Sequence, residues 1–222
     1  RKFLHRPGAS ASVFPESLTF SSDITRGVAH YHLASLFVLP RMRAHAAETL
    51  VRARAAGLTT SLDTNWDPEG RWMKDLEPCL RDLDLLFINE DEARMVTGFV
   101  ETDSAARVLL DCGVPTAVMK LGARGCAIYT REAEVLSAAF EVEAQDTTGA
   151  GDCFAGGFLA ARLRGAPLAD AGHFANAVAG LSVQKIGAVA GVPRYDQIQK
   201  WMKGARLHQT AEEPSARTLG RT

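Results

Sequence analysis

Asp146-Thr147-Thr148-Gly149-Ala150-Gly151-Asp152 runs straight into the small and apolar stretch 153–160. A glycine turn followed by an acid at a helix start has chemical consequences. The first N–H groups of a helix have no partner within it, and the helix dipole adds positive potential there, so the turn is a ready anion pocket. Gly149 and Gly151 let the backbone approach a ligand closely. An acid beside such a pocket serves little purpose in binding alone. It makes sense if Asp152 takes a proton from a hydroxyl while the N–H groups of Gly149, Ala150 and Gly151 hold the phosphoryl group that the hydroxyl attacks. A plainer reading, an ordinary helix-start acid after a turn, stays open on these seven residues.

The other polar candidates fall where predicted strands end. Apolar, β-leaning stretches at 28–39, 58–63, 85–88 and 116–121 alternate with helical stretches at 42–56, 90–96 and 104–112. That alternation predicts a parallel sheet with helices on both faces. Ligands of such sheets sit beyond the carboxyl ends of the strands. Asp63 and Asn65 follow the second strand, Asn89 the third, and Lys120 and Gly122 the fourth; Asp152 opens a later helix. Convergence of these residues at one edge is the geometric expectation. Further on, 126–130 reads as a hairpin partner, 135–142 as a strand, and 150–164, 168–185 and 194–203 as helices. A single domain over 1–203 suits the length. Residues 204–222 are polar and aperiodic and are expected to be a disordered tail.

Composition narrows the function classes. The chain is 46% hydrophobic and 23% charged, enough to build a core. A formal net charge of −1 gives no general pull toward nucleic acid or an anionic membrane. Cys79, Cys112, Cys126 and Cys153 show no Cys-x-x-Cys spacing, so neither a zinc site nor a disulfide framework is indicated, and a reducing cytoplasm is the simplest home. No apolar run is long enough to span a bilayer. The Gly-x-x-x-x-Gly-Lys-[Ser/Thr] phosphate loop is absent, which disfavours the commoner ATPase designs. The chain opens on Arg1, and the expectation is that it is a piece of a longer protein.

The 146–152 string and its Gly-, Ala- and Phe-rich helix resemble the second signature of the PfkB carbohydrate kinase family, the ribokinase-like kinases. The resemblance runs from residue 28 to residue 200. It implies a three-layer αβα fold with a mostly parallel central sheet, ATP and Mg²⁺ as cofactors, Asp152 as the base and 149–151 as the anion hole. Asn89-Glu90-Asp91-Glu92 resembles the family's Asn-x-x-Glu motif, which organises water around Mg²⁺; this puts Asn89 at the nucleotide and Glu92 at the metal. The same four residues also read as a capping-box variant, and the two readings are compatible. Lys120, Gly122 and Gly125 resemble the family's strand-plus-glycine nucleotide segment, with a plain turn as the alternative. Lys120 stands where many relatives carry Thr, and its ammonium could meet phosphate oxygens as a point charge.

Asn176, after Ala175, resembles the pair that lines the adenine pocket; Asn is a poor interior helix residue, which invites a reason. Asp146, Thr148 and the 182–191 stretch resemble a monovalent-cation loop, with K⁺ as an optional addition. Asp63-Thr64-Asn65 with Arg71-Trp72 resembles the Asp-x-Asn…Arg…Trp segment of several sugar kinases, which places Asn65 and Arg71, with Asp152, at the substrate; strand-end caps and a packed Trp72 are the alternative. His30 and His32 share a strand face and read as a packed or solvated pair rather than metal ligands. Cys153 reads as a small packing residue.

The resemblance implies ATP-dependent phosphorylation of an alcohol on a sugar or sugar acid by a cytoplasmic enzyme. A nucleoside kinase and a non-catalytic nucleotide- or sugar-binding module stay open. The implied partners are ATP and a small sugar-like substrate, with no nucleic acid and no membrane, and a homodimer as an option. Family members begin with a strand that carries a sugar-binding acid, then a Gly-Gly segment and a small β lid. None of these is visible here, with 1–9 expected as the end of the lid. The expectation is that this chain alone is weakly active or inactive and that a longer parent is a kinase.

Overall fold

The computed structural model describes residue 8, residues 18–208 and the backbone of residues 216–218. The chain divides into two compact units, 1–115 and 116–222. The expected lid remnant at 1–9 lies outside the described residues except for Gly8.

The first unit alternates strand and helix: α1 (Ser22–Thr25), β1 (His30–Leu33), α2 (Pro40–Ala55), β2 (Thr59–Asp63), α3 (Met73–Leu80), β3 (Leu85–Asn89), α4 (Glu90–Thr97) and α5 (Thr102–Asp111). β1, β2 and β3 pair in parallel in that order, with Tyr31 opposite Thr60 and Leu62 opposite Leu86. Leu62, Leu86, Phe87 and Ile88 are fully buried. Burial on both faces explains why these strands read as continuous apolar runs. Pro40 opens α2, where no intrahelical N–H is needed. Met42, Ala46, Leu50 and Ala53 then form its buried stripe at helical spacing.

Two elements differ from the sequence reading. The strand expected over 28–39 stops at Leu33, because Ser35 turns left-handed (φ 60°) and Leu36–Val38 coils into a short 3₁₀ turn. α3 was not expected at all. Pro78 and its charged residues mask the spacing of Leu76, Cys79 and Leu80, which are all buried.

One buried ion pair organises the loop between β2 and α3. The Arg43 guanidinium donates to both Asp67 oxygens, Nη1 to Oδ1 at 2.7 Å and Nη2 to Oδ2 at 2.8 Å. It also donates to the Phe37 carbonyl and, through Nε, to Asp75. Asp67 in turn accepts the N–H groups of Glu69 (2.9 Å), Arg71 (2.6 Å) and Trp72 (2.7 Å). The loop is therefore wound around a single carboxylate. Burial alone would push that carboxyl up; the Arg43 hydrogen bonds, then the Trp72 and Glu69 N–H groups, outweigh it and hold it down at about 2. The same winding holds Trp72 at φ 41°, a rare conformation for a bulky residue.

The second unit contains β4 (Ala117–Lys120), β5 (Cys126–Tyr129), β6 (Ala133–Ser137), α6 (Ala150–Arg162), α7 (Leu168–Ser182), α8 (Tyr195–Met202) and β7 (Ala216–Thr218). β4 to β7 pair antiparallel in sequence order. The strand expected over 135–142 ends instead at Ser137. The Asn176 amide, from α7, takes the Ser137 and Ala138 carbonyls at 2.9 and 3.1 Å, acceptors that a continuing ladder would need. Two pieces of the 204–222 stretch, expected to be loose, are paired. Arg206 and His208 exchange backbone bonds with Glu141 and Ala139, and Ala216–Thr218 lies along β6. Backbone pairing needs no apolar side chains, so polarity hid it. No helix among the described residues is long and apolar enough to cross a membrane.

Two measurements test the ion pair. Arg43→Ala leaves a buried carboxylate without its partner and should cost about 3–5 kcal/mol, read as a lower urea midpoint. The Asp67 carboxyl also lies below its ordinary value of 3.8. Between the two values the unfolded chain binds more protons, so this contribution is full above about pH 4 and is lost as pH falls through about 2. Roughly 2 kcal/mol should disappear over that window in acid titrations of stability, and Asp67→Asn should flatten that part of the curve.

Candidate functional site

The start of α6 carries the chemistry of the second unit. Its N-cap is Gly149, left-handed at φ 74°, and no side chain caps the helix. A Cβ on Gly149 would stand 2.8 Å from the Ala188 Cβ and 3.1 Å from the Ala188 carbonyl oxygen, so only glycine fits the turn. The Ala150 N–H reaches back to the Thr147 carbonyl at 3.3 Å. Asp152 lies in the first turn and is exposed. From the end of β4, the Lys120 ammonium nitrogen comes within 3.4 Å of where a Cβ on Gly151 would stand. An uncapped helix start, a lysine ammonium and an exposed carboxylate thus share one small patch. That combination can hold an anion and accept a proton beside it.

Asp146 fastens the turn from behind. Its Oδ1 accepts the Thr148 N–H and its Oδ2 accepts the Gly187 N–H, both at 2.9 Å. The Gly187 bond, then the Thr148 bonds, pull its carboxyl down to about 2. The Cys153 thiol donates to the Ala188 carbonyl at 3.2 Å, and burial raises its pKa, as suits a packing residue. Thr148 itself is exposed.

The β4–β5 turn separates its two glycines. Gly122 (φ 60°) has open space where a side chain would be. Gly125 (φ 99°) has the Ser137 carbonyl oxygen, the Ala139 nitrogen at 2.6 Å and the Ala138 carbonyl carbon at 2.8 Å in that place. Its role is close backbone packing. Asn176 is likewise inward: it is 4% exposed, and its amide nitrogen is given to Ser137 and Ala138. The Asn176 amide nitrogen thereby holds the end of β6.

In the first unit, the carboxyl ends of neighbouring β2 and β3 gather a second set. Asn89 ends β3 and caps α4: its side chain accepts the Glu92 N–H at 2.9 Å, and Glu92 Oε2 accepts the Asn89 N–H at 3.2 Å. The capping box is complete. Glu92 Oε2 also accepts the Thr64 hydroxyl at 2.8 Å, which ties the exit of β2 to the start of α4. Next in the chain, Asn65 is left-handed at φ 63° and donates to the Ser35 hydroxyl at 3.3 Å. Arg71 is half exposed and pairs with Glu69 at 3.1 Å and Asp75 at 2.9 Å. In the first unit these candidates lie at the carboxyl ends of parallel strands, where such sheets hold ligands.

His30 Nε2 and His32 Nδ1 both lie 2.7 Å from the Ser61 hydroxyl oxygen. Burial, then His32, lowers His30 to about 4. The pair is packed. Among the described residues, no group of three or more His, Cys, Asp or Glu could hold a metal ion. The sequence reading missed Arg43, Thr64, Asp67 and Ser35. The one available signal was Arg43 itself, a charge beside the apolar stripe of α2.

Comparison with known proteins places this geometry. The family described as pfkB family carbohydrate kinase matches residues 1–194. Fructokinase-2 of Solanum lycopersicum is 27% identical over 215 residues, which is 91% of this chain and 65% of that protein. The solved structure of aminoimidazole riboside kinase from Salmonella enterica superposes with a TM-score of 0.74 at 25% identity, covering 91% of this chain and 70% of that one. A ribokinase-type structure from E. coli, solved with ATP and Mg²⁺, gives a TM-score of 0.73 at 27% identity, covering 82% and 61%. The chain spans about two thirds of the length of these relatives. Its fold is the ribokinase-like α/β fold, and the chain belongs to the pfkB family of carbohydrate kinases.

Proposed function

We propose that the protein carrying this chain transfers the terminal phosphoryl group of ATP to an alcohol of a small sugar. The observation that supports this most directly is the uncapped start of α6, with the exposed Asp152 carboxylate inside the turn and the Lys120 ammonium over Gly151. The relatives, a fructokinase and a riboside kinase by name, favour a sugar-bearing acceptor.

The chain's own residues divide the work as follows. The N–H groups of Gly149, Ala150 and Gly151 hold oxygens of the transferring group, and Lys120 adds a fixed positive charge. The acceptor oxygen attacks phosphorus, its bond to phosphorus forms, and the bond from phosphorus to the bridging oxygen breaks, releasing ADP. Asp152 takes the acceptor's proton as that bond forms. Proton loss comes late in a loose transition state, so a weak base suffices. Catalysis is then mainly positioning and charge stabilisation.

Mg²⁺ held by the nucleotide would neutralise phosphate charge while keeping most of its waters. Asn89 and Glu92 are the residues that would meet those waters, and Glu92 Oε2 already serves Thr64 and Asn89. Gly122, in open space, leaves room for the nucleotide beside the β4–β5 turn. Asp146 and Thr148 would face a K⁺ ion; each Asp146 oxygen accepts one N–H and keeps a further lone pair. Asn65 and Arg71 serve the acceptor. Four unpaired cysteines suit a reducing cytoplasm.

Two variants of the whole protein test this reading, with ATP consumption measured against a panel of sugars, sugar acids and adenosine. Asp152→Asn should lower kcat by about 10²–10⁴ with the KM for ATP unchanged. Lys120→Met should raise the KM for ATP and weaken its salt dependence. Wild-type turnover in Asp152→Asn would refute the assignment.

A further inference from the structure

We propose that the indole of Trp66 is the platform on which the acceptor's ring lies, and that the acceptor is a neutral sugar rather than a sugar acid. This rests on the reading of the protein as a sugar phosphotransferase. Trp66 is 38% exposed, whereas its aromatic neighbours Trp72 and Phe37 are 8% and 1% exposed. Its place is just beyond the carboxyl end of β2, the edge where ligands of parallel sheets sit.

The backbone there is costly and well fixed. Asn65 (φ 63°) takes the Trp66 N–H with its own Oδ1 at 2.7 Å and gives its amide nitrogen to Ser35, itself at φ 60°. Trp72, at φ 41°, meets Trp66 edge-on, with centroids 4.9 Å apart and planes at 84°. Among the described residues, the three non-glycine positions with positive φ are thus Trp66's preceding residue, the partner of that residue's amide and the ring's aromatic neighbour. Such backbone persists where surrounding contacts over-determine it, and it concentrates at ligand sites. Here Asp67, locked by Arg43, supplies those contacts through the Glu69, Arg71 and Trp72 N–H groups.

The chemistry of the neighbourhood selects the ligand. Phe37 also meets Trp72 edge-on, at 77°, so this aromatic group offers a single plane and no parallel slot for a sandwiched base. A single indole face suits the C–H face of a sugar ring. Arg71 is drawn toward protein acids, Nη2 to Glu69 and Nε to Asp75, which leaves single N–H donors for ligand hydroxyls rather than a fork for a ligand carboxylate. A sugar acid would bring a further negative charge against those two carboxylates. The hydroxyls of a neutral sugar can instead donate to them.

The test uses the whole protein and the variants Trp66→Phe and Trp66→Ala, with folding of each checked by thermal melt. A neutral hexose, a neutral pentose and the matching aldonates are titrated while tryptophan fluorescence is read without ATP, and acceptor and ATP KM values are then measured. Neutral sugars should change the wild-type signal and aldonates at equal concentration should not. Trp66→Phe should lose the signal, although Trp72 and Trp201 remain, and keep acceptor binding. Trp66→Ala should raise the acceptor KM by about tenfold or more with the ATP KM unchanged. An unchanged acceptor KM in Trp66→Ala, tighter binding of an aldonate, or no fluorescence response to any neutral sugar overturns the platform. Failure of every acceptor to drive ATP consumption strikes the kinase reading instead, since the fluorescence arm needs no turnover.

Discussion

The second unit turns on a helix start that its own chain does not cap. A helix can occupy its orphan N–H groups with a side chain, though α2, α3, α5 and α7 show no such cap. α4 does so fully, through Asn89 and Glu92. α6 begins on a glycine that has no side chain to offer, and the nearby acid, Asp146, is spent on Thr148 and Gly187. A glycine N-cap forgoes only a few tenths of a kcal/mol relative to a Ser or Asp cap. The fold keeps the turn rigid by other means: the Asp146 clip, the Cys153 bond to Ala188 and the tight contact of Gly149 on Ala188. Of its N–H groups, that of Ala150 turns back on the Thr147 carbonyl only at 3.3 Å; a stiff turn of this kind is preorganised for an anion, and preorganisation is the main electrostatic lever in phosphoryl transfer.

The first unit solves a different problem with a buried charge pair. Burying Arg43 and Asp67 carries a desolvation penalty that an apolar pair would avoid, so stability alone is a poor explanation for it. What the pair supplies is conformation. Five donors converge on one carboxylate and wind the 67–72 loop into a shape that Trp72 would not otherwise adopt. Together with the capping box at α4 and the Thr64–Glu92 bond, this fixes the carboxyl ends of β2 and β3 as a rigid rim. Rigid rims carrying polar loops are where α/β folds keep their ligands.

Much of this was legible in the sequence because it depended on local rules. The glycine turn, the acid in the first turn of α6, the capping box and the parallel alternation all follow from spacing within a few residues. The rest depended on contacts between distant residues. Nothing near Asp67 announces that Arg43, 24 residues earlier, is its partner. Asn176 is unusual inside a helix, and nothing near it in the chain announces that its amide nitrogen binds the carbonyls of Ser137 and Ala138, 39 and 38 residues away. α3 was hidden by Pro78, and β7 by its polarity, since its pairing is made by backbone alone. Gly122 and Gly125 look equivalent as letters, and only the packing of 137–139 tells the open one from the enclosed one.

The central claim is that the first turn of α6, with its glycine N-cap, exposed Asp152 and nearby Lys120 ammonium, is a phosphate site. Amide NMR of this chain, titrated with a non-hydrolysable ATP analogue and Mg²⁺, tests it directly. The largest downfield shifts should fall on Ala150, Gly151 and Asp152, with Lys120 responding. Silent α6 amides, with the response confined to other parts of the chain, would contradict it.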